Sequence, residues 1–112
     1  MYRQGDVLLI PVLHVSEEMT EVPSDSRGVV LAEGETSGHF HGLVGSGKLF
    51  NFRDSAREER MLRVTSKSEV HVIGGEVGGV ARHTAIRLAP GDYLVRLQRA
   101  WTSERKSQKA VD

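Results

Sequence analysis

Ser37-Gly38-His39-Phe40-His41-Gly42-Leu43-Val44-Gly45-Ser46-Gly47-Lys48-Leu49-Phe50-Asn51-Phe52 carries both the fold signal and the chemistry of this chain. His39 to Val44 reads as a strand, and Lys48 to Phe52 alternates as another. The glycines of Gly45-Ser46-Gly47 suit a hairpin between them. In a strand, successive side chains point to opposite faces, so His39 and His41 share one face and Phe40 takes the other. Two imidazoles then lie side by side, as a metal site requires.

The pattern extends in both directions. Gly5-Asp6 reads as a turn before a strand from Val7 to about Val15, apolar at both alternation classes and so predicted to be buried on both faces. Pro11 cannot donate to a ladder and implies an edge, a bulge or a bend. Ser16 to Asp25 is polar, with either a loop or a short helical turn over Ser16 to Met19 capped by Ser16. Val29 to Ala32 is a further strand, and Glu33 to Gly38 is a glycine-punctuated turn. Arg53 to Arg60 is highly charged, either a solvated loop or two helical turns capped by Asp54 or Ser55. Met61 to Thr65 and Glu69 to Ile73 read as strands around a turn at Ser66-Lys67-Ser68. Gly74 to Gly79 is a turn long enough to serve as a flap.

Thr84 to Leu88 is a strand with Ile86 and Leu88 inward. Pro90-Gly91 suits the centre of a type II turn, and Tyr93 to Trp101 is the longest clear strand. About eight short strands with turn signals at regular spacing predict an all-β single domain, a small β-barrel or sandwich. Residues 1–102 form that domain, and Ser103 to Asp112 is a flexible polar tail.

Composition narrows the function classes. The 112 residues are enough for one core, and with 38% hydrophobic and 27% charged residues the chain is globular rather than disordered. Lys plus Arg and Asp plus Glu balance at 15 each, which argues against nucleic acid and anionic membranes as partners. The longest apolar run, Val7 to Val12, is far short of a membrane span. The N-terminus carries no apolar signal core, so the expectation is a soluble cytoplasmic protein. Without cysteine, disulfides, thiolate zinc sites and thiol nucleophiles are excluded.

A metal must then be held by histidine, carboxylate or water. Neutral imidazole suits zinc, iron, copper and nickel. His83 is the candidate third ligand for His39 and His41, and Glu35 is the carboxylate candidate. Two histidines and one carboxylate would suit non-haem iron. His71 is a further option, and His14, at the end of the first strand, is the weakest. The competing reading leaves the histidines on an exposed strand face as a polar or hydrogen-bonding pair.

Other chemistries lack their parts. No G-x-S-x-G leads from a strand into a helix. The Gly74 to Gly79 run lacks the Lys-Ser/Thr of a phosphate loop. Adjacent Glu58 and Glu59 point apart in an extended chain and do not make a glycosidase pair. The basic C-terminal residues beside Trp101 read as a solvated tail.

The Gly38-His39-Phe40-His41 strand with the later His83 resembles the cupins, small barrels that bind metal through His-x-His, a later Glu and a later His. That resemblance implies a divalent transition metal (zinc, iron, nickel or manganese) and a small-molecule ligand in a barrel mouth. The sequence departs from the cupin pattern, because no Glu follows His41 at short distance and the Pro90-Gly91 turn comes after His83 rather than before the last histidine. A second likeness covers more of the chain. Tyr2 to Leu8, Gly34 to His41 and His83 to Trp101 look like segments of small bacterial and phage proteins of unknown function. It implies a shared domain and no mechanism. Three functional readings follow: a cupin-like metal site, a non-catalytic binding module that uses the histidines as a recognition surface, and a subunit of a larger assembly. A homodimer is compatible with all three.

Overall fold

The computed structural model describes residues 1–34, 38–54, 56–74 and 85–98. Among them every regular element is a strand, with no helix: β1 (Tyr2–Gln4), β2 (Val7–Val12), β3 (Met19–Val22), β4 (Val29–Glu33), β5 (His39–Val44), β6 (Gly47–Phe52), β7 (Arg60–Val64), β8 (Ser68–Gly74), β9 (Ile86–Leu88) and β10 (Gly91–Leu97). They form two antiparallel sheets, one of six strands in the order β1-β2-β10-β7-β6-β3 and one of four in the order β4-β5-β8-β9. The described pairings do not close into a barrel. No helix of the described residues is long and apolar enough to cross a membrane.

Both sheets feed one core. Val7, Leu9, Leu49, Leu62, Tyr93 and Val95 from the six-stranded sheet meet Leu31, Val70, Ile86 and Leu88 from the four-stranded sheet. The alternate residues of the larger sheet are also covered. Leu8 and Met61 are buried on its outer face. There Arg57 lies 4.2 Å over the Phe52 ring and Arg63 lies 5.6 Å over Phe50, long cationic side chains laid over apolar surface. This is why β2 reads as apolar on both faces. Pro11 is tolerated because β1 pairs only with Val7 to Leu9, which leaves the outer edge of β2 open at residue 11.

Several connections differ from the sequence reading. The strand from Val7 ends at Val12 rather than Val15, and Leu13 is exposed. Tyr2 to Gln4 is itself a strand, paired with β2 through a Gly5-Asp6 turn in which Gly5 has φ 60°. Met19 does not end a helical turn but starts β3, paired with β6.

The largest correction falls at Gly45-Ser46-Gly47. These residues do not close a hairpin, since β5 and β6 belong to different sheets. They turn a corner that is braced by the β7–β8 corner: the Ser46 amide donates to Ser68 Oγ at 3.0 Å, and the Thr65 amide donates to the Ser46 carbonyl at 2.9 Å. Pro90-Gly91 likewise links the two sheets, with Gly91 already paired to Val64 in β10.

The charged segment after Phe52 is a loop, as one of the two readings has it, and it is tethered rather than merely solvated. Arg53 and Arg57 bond Glu18 and Glu17, each at 2.8 Å. Ser55, the Gly75 to Gly79 part of the flap, Trp101 and the 103–112 tail lie outside the described residues.

Candidate functional site

The β5 strand forms over the residues expected, and its histidines point inward. Leu43, two residues on from His41, packs against the shared core, so the His39–His41–Leu43 face looks toward the six-stranded sheet. His41 is 3% exposed, which removes it from any surface recognition role. His39 is half-buried, and its Nδ1 is buried without a hydrogen-bond partner among the described residues.

His41 is oriented by a relay that crosses between the sheets. Gln4 on β1 lies opposite Val7, whose side chain is in the core, so the amide of Gln4 faces inward. Its Nε2 donates to the Val70 carbonyl at 2.9 Å, and its Oε1 lies 2.8 Å from His41 Nδ1. An amide that donates through nitrogen to a carbonyl presents oxygen as acceptor, so His41 Nδ1 carries the proton. In the neutral ring Nε2 is then the electron-pair donor. Asp6, in the β1–β2 turn, places Oδ1 4.0 Å from that Nε2. Asp6 is 9% exposed, and the Gln98 amide holds its backbone carbonyl at 2.9 Å. Gln4, Asp6 and His41 each make a further polar or electrostatic interaction besides these.

The other candidates separate. His71 lies two residues from Ile73 and one from Val70, on the sheet face opposite His41, with Nε2 2.8 Å from Glu69. That position takes it away from the His39–His41 face. His14 is exposed and stands 3.8 Å from Asp92. Glu35 and His83 lie outside the described residues. Among the described residues, no three or more His, Asp or Glu side chains gather closely enough to hold a metal ion; His41 and Asp6 are the buried histidine–carboxylate pair.

Gln4, Asp6 and Arg60 are the functional candidates that sequence reasoning missed. The run Tyr2-Arg3-Gln4-Gly5-Asp6 did carry a family likeness, which is the one signal that could have drawn attention to Gln4 and Asp6. Arg60 shares its alternation class with Leu62 and Val64, an inward parity visible in the sequence.

A family described as a domain of unknown function (DUF8820) matches residues 3–98. The chain belongs to that family. The match spans both sheets and includes Gln4, Asp6, His39, His41 and Arg60. No curated protein and no solved structure matches the chain.

Proposed function

We propose that this chain is a soluble, cytoplasmic ligand-binding β-domain of cupin-like design, with His41 at its site and a divalent transition metal (zinc, iron, nickel or manganese) as the first candidate ligand. His41 Nε2 and an Asp6 carboxylate oxygen are two donors. His39 offers a second imidazole from the same strand face, and Glu35 and His83 are the further donors the sequence supplies. One observation carries the reading: the Val70–Gln4–His41 relay holds a buried imidazole in the Nδ1–H tautomer. Metal-ligating histidines are held in this way, with the other ring nitrogen donating to a carbonyl, carboxylate or water. The buried His39 Nδ1 supports it, because buried polar atoms ordinarily have partners. A bound ion would polarise a substrate oxygen or activate water; metal binding by itself does not make the domain an enzyme.

Elemental analysis of protein purified without a histidine tag tests this. The expected result is about one ion per chain after reconstitution, lost in His41→Ala. Lack of stoichiometric metal in the reconstituted wild-type protein removes the reading.

The buried Gln4 amide hydrogen-bonded to His41 favours a second reading, a small polar ligand held by hydrogen bonds without metal. That reading predicts ligand binding that survives chelator treatment.

A further inference from the structure

Arg60 stands where the strand pattern asks for an apolar side chain. It shares its alternation class on β7 with Leu62 and Val64, both in the core. Its guanidinium crosses to the four-stranded sheet and donates to the Leu31 carbonyl. That carbonyl is available because β4 is bulged. Val30 pairs with Gly42 and Ala32 with His41, and Leu31 falls between them outside the ladder. The bulge also explains why consecutive Leu31 and Ala32 both belong to the core.

One carbonyl does not satisfy a guanidinium, which has five N–H donors and a full charge. Arg27, Arg57, Arg63 and Arg96 each hold a carboxylate. Arg60 has none among the described residues, and burial pulls its pKa below the ordinary arginine value. Arg60 is half-buried, and a charge partly withdrawn from water is costly unless it is paired.

Arg60 also lines a cavity of about 370 Å³, together with Val22, Val29, Leu49 and Leu97. Leu97 shares the inward parity of Tyr93 and Val95 yet is 39% exposed. Asp25, Arg27 and Glu33 also line the cavity, and Arg27 bonds both carboxylates. That trio carries one net negative charge, so with Arg60 the lining is neutral, which disfavours a dianion such as phosphate more than a monoanion. The volume sits toward the low end of the ~300–1,000 Å³ range of small-molecule pockets.

We propose that this cavity binds a small monocarboxylic acid with an apolar body, its carboxylate on Arg60 and its body against Val22, Val29, Leu49 and Leu97. A carboxylate meets the planar guanidinium fork through paired hydrogen bonds, and the apolar side chains of the lining give its body a surface to cover. His41 does not line this cavity, although its cross-strand partner Ala32 does, and the proposal does not depend on metal binding at His41.

Titration of benzoate, 3-phenylpropanoate and 4-methylpentanoate, each beside its neutral amide and beside inorganic phosphate, tests this by methyl NMR of the whole chain. The expected result is saturable shifts of the Val22, Val29, Leu49 and Leu97 methyls with at least one acid, and none with its amide or with phosphate. Arg60→Met should weaken binding at least ~10-fold, as loss of a charged hydrogen bond does. That variant strands the Leu31 carbonyl and can fail to fold. Val29→Phe instead fills the cavity, leaves Arg60 in place and should abolish binding, while Arg60→Lys should retain weakened binding. No saturation by any acid up to ~10 mM, equal affinity for acid and amide, or unaltered binding in folded Arg60→Met or Val29→Phe overturns the proposal.

Discussion

The Nδ1–H of His41 donates to the side-chain oxygen of Gln4 at 2.8 Å, and the two residues belong to opposite sheets. Gln4 is 1% exposed, so neither end of the relay has water to fall back on. Gln4→Leu leaves the His41 Nδ1–H and the Val70 carbonyl without these partners. At about 1–3 kcal/mol for each of these two buried groups, the expected loss is ~2–6 kcal/mol by urea denaturation. A variant within ~0.5 kcal/mol of wild type would mean that the relay contributes nothing to stability.

Metal-linked stabilisation separates the histidines by face. Zinc at a hundredfold excess over its dissociation constant should stabilise the wild-type domain by about 2.7 kcal/mol, a Tm rise on the order of 10 °C. His41→Ala should lose that rise. His71→Ala should keep it, because His71 lies on the other sheet face beside Glu69. An undiminished rise in His41→Ala would place the ion elsewhere.

What could be read from the sequence was local, and what could not was pairing across the core. Alternation located β5 over His39 to Val44 without error and put Ile86 and Leu88 inward, because burial imposes a period of two on a half-covered strand. Glycine spacing did not distinguish a hairpin from a corner between sheets. Gly45-Ser46-Gly47 satisfies both, and the deciding partner, Ser68, is 22 residues from Ser46. Tyr2 to Gln4 was missed because three residues are too few to show a period. Gln4 and Asp6 were missed as site residues because their roles are defined by His41, 37 residues from Gln4 along the chain.

Gly45 should tolerate no side chain. Its φ of +136° disfavours L residues, and a Cβ there would stand 2.2 Å from Ser68 Oγ and 2.9 Å from Ser68 Cα. Gly45→Ala must therefore strain the backbone and push apart the two corners that link the sheets. The expected cost is roughly 1–3 kcal/mol, from midpoints of thermal or urea unfolding. Ser68→Ala in the same background should recover part of it by removing the nearest atom, although the Ser46 amide then loses its acceptor. Failure of the double variant to recover any stability would assign the cost to φ alone.

Arg63 and Asp92 predict how the fold responds to acid. Arg63 donates from Nε and Nη2 to the two oxygens of Asp92 at 2.9 and 3.1 Å, and the Val15 amide adds a contact at 3.3 Å. The Arg63 bonds hold the Asp92 carboxyl below the usual carboxylate range against the opposing effect of its burial. A carboxyl whose folded pKa lies below its unfolded value of about 3.9 stabilises the fold fully above that unfolded value. The contribution fades as pH falls through the folded value. Arg63→Met should therefore cost more at pH 7 than at pH 3. The side chain of Arg63 is one-third exposed, so solvent screening limits the neutral-pH difference to about 1–2 kcal/mol. Urea denaturation of both proteins at pH 7, 5 and 3 measures it, and the two stabilities should converge on acidification. An equal gap at all three values would assign the stabilisation to Arg63 lying over the Phe50 ring rather than to its charge on Asp92.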